Sequence, residues 1–161
     1  MGEVAVQKKD SFWEQIQKME DRIMRRAYDI FRGNGSEFGK DLDHWLAAER
    51  ELVWKPAIEL EENDKQFKVQ VAVAGVDPKD LKIEVTSEEL LVKGETRTEK
   101  KEEKGEMHTS EFQSGSLFRS IRFPKKVDAD RVRAEIKNGL LTITAPIAEE
   151  AKARKVDIHA A

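Results

Sequence analysis

The dipeptide Asn138-Gly139, set between two runs of alternating side chains, constrains this chain more than any other feature. A two-residue type I′ turn needs positive φ at both central positions, and asparagine followed by glycine meets that need at low steric cost. So short a loop also fixes register. Lys137 faces Leu140, and behind them come the pairs Ile136/Leu141, Ala134/Ile143 and Val132/Ala145, apolar on one face. The other face carries Glu135/Thr142 and Arg133/Thr144. Turn chemistry and alternation therefore agree on a half-buried hairpin.

The period of two extends upstream. Pro56 opens a strand with Ile58 and Leu60, and Asn63-Asp64 is a turn. Phe67, Val69, Val71 and Val73 alternate with Lys68, Gln70 and Ala72. A turn over residues 75–78 leads to Leu81, Ile83 and Val85, which alternate with Lys82 and Glu84. Leu90-Leu91-Val92 makes a further strand before Gly94. Short strands punctuated this often predict a β-sandwich.

Before Trp54 the period is helical. Phe12, Ile16, Met19, Ile23, Ala27, Ile30 and Phe31 recur at three- and four-residue steps, which places one apolar stripe on a helix. Ser11 is positioned to cap it, with Glu14 completing a capping box. Gly33-Asn34-Gly35-Ser36 stops it, and a second stripe of Leu42, Trp45, Leu46 and Leu52 starts near Asp41. Phe12, Trp13, Met19, Met24, Tyr28 and Phe31 give the first helix a Met- and aromatic-rich character. Such side chains either pack against a neighbour or adapt to irregular apolar partners, and the pattern leaves both readings open.

Composition excludes several function classes. A chain of 161 residues holds one domain plus extensions. A net charge of −3 argues against a nucleic-acid binder, which shows a strongly basic domain. With no cysteine there is no disulfide framework, thiolate nucleophile or Cys-ligated zinc. His44, His108 and His159 lie far apart and show no metal-ligand spacing; His44, beside Trp45, reads as a helix-surface residue. There is no phosphate-cradling glycine loop, and Gly115-Ser116 lacks the Gly-x-Ser-x-Gly elbow of a hydrolase. No cofactor, metal or catalytic residue is expected. Residues 1–10 show no apolar secretory core, and no run approaches the ~18 apolar residues of a membrane span. The expectation is a cytoplasmic protein.

The motifs carry a resemblance. Ala134, Asn138, Gly139, Leu140 and Leu141 match without departure the Ala-x-x-x-Asn-Gly-(Leu/Val)-Leu signature of the small heat-shock proteins, whose shared module is the α-crystallin domain. Upstream, Arg119 to Pro124 (Arg-Ser-Ile-Arg-Phe-Pro) is similar to the family's Arg-x-Phe-x-Leu-Pro, with Ile121 and Phe123 as apolar replacements. Residues 72–81 resemble the family's Leu-Pro-Gly-Val segment, with Ala74 where proline is usual. The resemblance covers roughly residues 56–158 and implies an α-crystallin-type, immunoglobulin-like β-sandwich, mainly β. It implies a helical N-terminal arm at 1–53, the sandwich at 54–146 and a short C-terminal tail at 147–161.

It also assigns roles to segments that composition leaves bland. Residues 95–106 are almost wholly charged, which alone reads as a solvated loop. In bacterial and plant relatives this region carries a strand that crosses to a partner subunit. Met107, His108 and Glu111 fall there, while Thr109 and Phe112 replace the family's arginines. Segment 95–113 is therefore expected to be the dimerisation loop. Val156-Asp157-Ile158 alone reads as a frayed terminus. Its position matches the family's terminal Val-x-Ile motif, which docks by strand addition. Val156 and Ile158 are thus expected to fill a groove on another subunit, lined by Ile83, Val85, Val132 and Ala134.

The resemblance implies an ATP-independent holdase chaperone. Its partners would be itself, as a dimer building block and larger homo-oligomer, and non-native client proteins held by arm residues Phe12, Trp13, Ile16, Met19, Ile23, Tyr28 and Phe31. An adaptor or co-chaperone sandwich is the alternative, and such domains generally lack both the Asn-Gly signature and the terminal Val-x-Ile. An enzyme on a β-sandwich is a third reading, opposed by the absence of any nucleophile motif.

Overall fold

A computed structural model describes residues 2–95, 105–106, 108–109, 116–153 and 155–160. Two short strands come first, β1 (Gly2–Val4) and β2 (Val6–Lys8), then two helices, α1 (Trp13–Gly33) and α2 (Asp41–Leu52). The remaining strands are β3 (Val53–Trp54), β4 (Ile58–Glu62), β5 (Gln66–Ala72), β6 (Leu81–Val85), β7 (Glu89–Glu95), β8 (Ser116–Arg122), β9 (Arg133–Lys137) and β10 (Leu140–Pro146). They form two five-stranded sheets, ordered β1-β9-β10-β5-β4 and β2-β6-β7-β8-β3.

The Asn-Gly turn has the expected geometry. Asn138 and Gly139 have φ of 53° and 76°, and the β9–β10 ladder pairs Lys137 with Leu140 and runs to Arg133 with Thr144. Val132 stands just outside the ladder and is still buried. A Cβ on Gly139 would lie 3.1 Å from both Cα and Cβ of Ala74, so this position is restricted twice over. At the opposite turn, the Asn63 side-chain oxygen accepts hydrogen bonds from the Lys65 and Gln66 N–H groups at 2.9 Å, a local device that suits asparagine.

The core lies between the sheets. Phe67, Val69 and Val71 of β5 face Leu141, Ile143 and Ala145 of β10 across their ladder, and all are fully buried. Ile83, Val85, Leu90, Val92, Leu117 and Ile121 supply the second sheet's half of the same cluster. The rings of Phe67 and Phe123 stack at 5.4 Å. Each such side chain contributes about 1.5–3 kcal/mol of burial, which makes this alternation the main stabilising term.

Several local expectations are corrected. Helix α1 begins at Trp13 with Phe12 as cap residue, and Ser11 Oγ accepts from the Trp13 N–H at 3.1 Å in place of a capping box. Gly94 lies inside β7, where a Cβ would stand 2.8 Å from the Asp80 carbonyl oxygen; close backbone approach, not strand termination, requires the glycine. His44 is buried, because α2 turns it onto α1, where its ring meets Phe31 edge-on at 5.9 Å. Residues 2–8, too short a run to predict a strand, join both sheets.

The helices form a hairpin over the outer face of the second sheet. Ile23, Ala48 and Val53 make its buried centre, with Met19, Ala27, Ile30, Trp45, Leu52 and Phe118 of β8 packed around them. An exposed pair, Arg26 Nε to Glu51 Oε2 at 2.6 Å, joins the two helices.

Candidate functional site

The sandwich has an open side where β6 ends one sheet and β9 the other, apart from the three-residue strands β1 and β2. Ile83, Val85, Val132 and Ala134, the residues expected to line a tail-accepting groove, are all buried there. What covers this side is the chain's own beginning. β1 pairs antiparallel with β9, placing Val4 opposite Ala134, and β2 pairs parallel with β6, placing Val6 opposite Ile83. Ala5 alone separates the two strands, so the segment crosses from one sheet edge to the other. Val4, at 7% exposure, belongs to the main core, and Val6 packs against it. The Lys9 N–H donates to the Val85 carbonyl at 2.8 Å, and Lys8 Nζ reaches Asp130 Oδ1 at 3.1 Å. The sequence signal was present in Val4-Ala5-Val6, whose spacing matches that of Val156 and Ile158.

The tail itself stands free in this single chain. Val156 and Ile158 are 80% and 94% exposed.

The arm residues divide. Phe12 and Ile23 are buried, Ile16, Met19 and Phe31 are half-buried, and Trp13 and Tyr28 are exposed. Met24, Phe38, Leu42 and Leu46 add further exposed apolar side chains on α1, α2 and the connection between them. Phe38 carries no periodic signal in the sequence; its ring lies 5.8 Å from that of Phe31.

Beneath α1 lies a small polar network. Pairing places Glu84, Leu91 and Ser120 in one row of the second sheet's outer face, with Lys82, Lys93 and Phe118 in the next. Gln15 Nε2 donates to Glu84 Oε2 at 2.7 Å, and Lys93 Nζ donates to Gln15 Oε1 at 2.6 Å and to Glu84 Oε1 at 2.9 Å. Burial pushes the Glu84 carboxyl up, but the donors Gln15 and Lys93 outweigh it and hold the group below the usual carboxylate range. The network clips the helix to the sheet.

Arg119 sits in β8 opposite Val92 and is half-buried; no described residue forms an ion pair with it. Pro124 and Leu140 are exposed, and Leu141 is fully buried. Of the dimer-loop residues, His108 is exposed, while Met107 and Glu111 lie outside the described residues. Among the described residues no cluster of three His, Asp or Glu side chains is arranged to hold a metal ion. Among the described residues no helix is long and apolar enough to cross a membrane.

Two stacked sheets of this order, with the Asn-Gly hairpin at the centre of one and helices on the outer face of the other, define an α-crystallin-type sandwich. The sequence pattern of the Hsp20/alpha crystallin family matches residues 59–159, more than half of the chain, and the chain belongs to that family. A second pattern, a protein of unknown function designated DUF2934, matches residues 18–53, the helical hairpin. Small heat shock protein C2 of Rickettsia felis is 30% identical over 138 residues, covering 84% of this chain and 88% of that one. Spore protein SP21 of Stigmatella aurantiaca is 34% identical over 103 residues, and the match covers 64% of this chain and 61% of that one. The structure of heat shock protein 16.0 from Schizosaccharomyces pombe superimposes with a TM-score of 0.57 at 33% identity, over 66% of this chain and 99% of that one. Family membership gives the chain a chaperone-like role, in a family generally without enzymatic activity.

Proposed function

We propose that this protein is an ATP-independent holdase that binds unfolding chains and keeps them from aggregating. The observation that carries this reading is the exposed apolar set on the helical hairpin, Trp13, Met24, Tyr28, Phe38, Leu42 and Leu46. Scattered single apolar residues need no explanation, but six on one helical hairpin make a surface of the kind that captures exposed apolar segments of partly folded chains. Binding the non-native state holds it out of aggregation without any nucleotide. In this reading residues 1–53 form the client-facing arm, 54–146 the scaffold and 147–161 the assembly tail, in the cytoplasm. Segment 95–113 joins two chains into a dimer, with Arg119 finding its partner in that loop or across the interface. Val156 and Ile158 link dimers into larger particles.

The test is light scattering of a heated client protein with and without this chain, in the absence of ATP. Suppression at stoichiometric ratios is expected; unchanged aggregation would favour an adaptor role.

A further inference from the structure

The groove between β6 and β9 is filled within the chain by a Val-x-Val segment, while a Val-x-Ile segment at the other end of the same chain stands in solvent. We propose that residues 2–8 are a built-in competitor for the groove: the Val4/Val6 plug must leave before Val156 and Ile158 of a second copy can dock. The inference rests on the proposed docking of the tail and adds to it an occupant that opposes it.

The chemistry of the two segments is interchangeable. Residues two apart in an extended chain project to the same side, so Val4 and Val6 occupy the positions that Val156 and Ile158 would take. Each offers branched apolar side chains flanking a short central residue, Ala5 in one and Asp157 in the other. Both sheet edges take backbone hydrogen bonds from the plug, which leaves none of those edge groups for a second strand at the same place. Two strands cannot pair with the same edge of β6 or of β9 at once.

The plug is also built to be displaceable. Each strand is three residues long and adds to an edge, and the ion pair Lys8–Asp130 joins two exposed side chains. Exposed pairs of this kind add little. Its advantage is covalent attachment, which presents it to the groove at high effective concentration. The apparent affinity for an incoming tail is then the intrinsic affinity scaled by the fraction of open grooves. Assembly is thereby set by release of residues 2–8 as well as by the tail.

The test uses the full chain carrying V156S/I158S, so that its own tail cannot dock, and a fluorescein-labelled peptide of residues 152–160. Anisotropy titrations compare this chain with one that also carries V4S/V6S. At least tenfold tighter binding on loss of the two valines is expected. A lock provides the converse. The chain has no cysteine, and Val4 and Ala134 are direct cross-strand partners, a spacing at which a disulfide can close. Oxidised V4C/A134C should lose peptide binding and regain it on reduction.

Equal affinity in all forms would overturn the competition while leaving tail docking intact. No binding to any form, V4S/V6S included, would overturn tail docking and the competition with it. Should V4S/V6S fail to fold, the lock alone decides: peptide binding retained in the oxidised chain would overturn the proposal.

Discussion

Glu84 and Lys93 form an ion pair at 2.9 Å on a sheet face that helix α1 covers, and Gln15 of that helix hydrogen-bonds to both. A carboxylate left 4% exposed on an outward-facing strand position owes its burial to the helix above it. Arm and sandwich are therefore coupled through a charge.

That coupling gives a pH dependence with a definite sign. The Glu84 carboxyl is held lower in the folded state than in the unfolded chain. Its contribution is fully present above the ordinary carboxylate pKa and is lost as pH falls through the lower folded value. Thermal melts across the acid range should show an acid limb that Glu84→Gln flattens. Lys93→Ala leaves the carboxylate buried beside Gln15 without its cation and should cost about 3 kcal/mol at neutral pH. An unchanged melting temperature in Lys93→Ala would show that water replaces the ammonium.

Gly139→Val should destabilise the chain by more than ~1 kcal/mol, since it forces a β-branched residue to positive φ. The new Cβ also meets Ala74 at 3.1 Å. Differential scanning calorimetry reads the effect, and a melting point equal to the parent's would refute the type I′ assignment.

Gly94→Ala brings a methyl group to 2.8 Å from the Asp80 carbonyl oxygen, which is backbone and cannot swing aside. The expected cost is about 1–3 kcal/mol, the usual range for overpacking. Urea unfolding followed by tryptophan fluorescence measures it.

Client capture should separate from stability. Trp13, Tyr28 and Phe38 are exposed, so serine at all three should change stability by no more than ~0.5 kcal/mol each. Suppression of client aggregation should fall severalfold. Full protection by the triple variant would move client binding off the helical hairpin. Truncation before residue 51 is a less clean probe, because it also uncovers Leu91 and Glu84 and strips β6 and β9 of their edge partners β2 and β1.

Replacing Val156 and Ile158 by serine removes side chains that touch little in the single chain. The subunit's melting temperature should stay put while native mass spectrometry shows particles falling toward dimers. Intact large particles would place assembly elsewhere, as would dimers that survive deletion of residues 98–111.

The sequence by itself determined the elements whose causes are local. Asn138-Gly139 demands two positive φ values in succession, so turn, register and the buried row of Ile136, Leu141 and Ile143 follow from neighbours in the chain. The stripe from Ile16 to Phe31 sets a helix in the same way. Tertiary structure alone decided what covers the outward faces and open edges. Alternation assigns Glu84 and Leu91 to the outer face of their sheet, but burial there comes from α1, more than fifty residues earlier in the chain. His44 reads as surface because its own helix has a polar side; the packing of Phe31 against it is a long-range contact. Val4 and Val6 form too short a run to predict a strand. They become strands because two sheet edges with unpaired backbone groups lie within reach, and an edge imposes extended structure on whatever it binds.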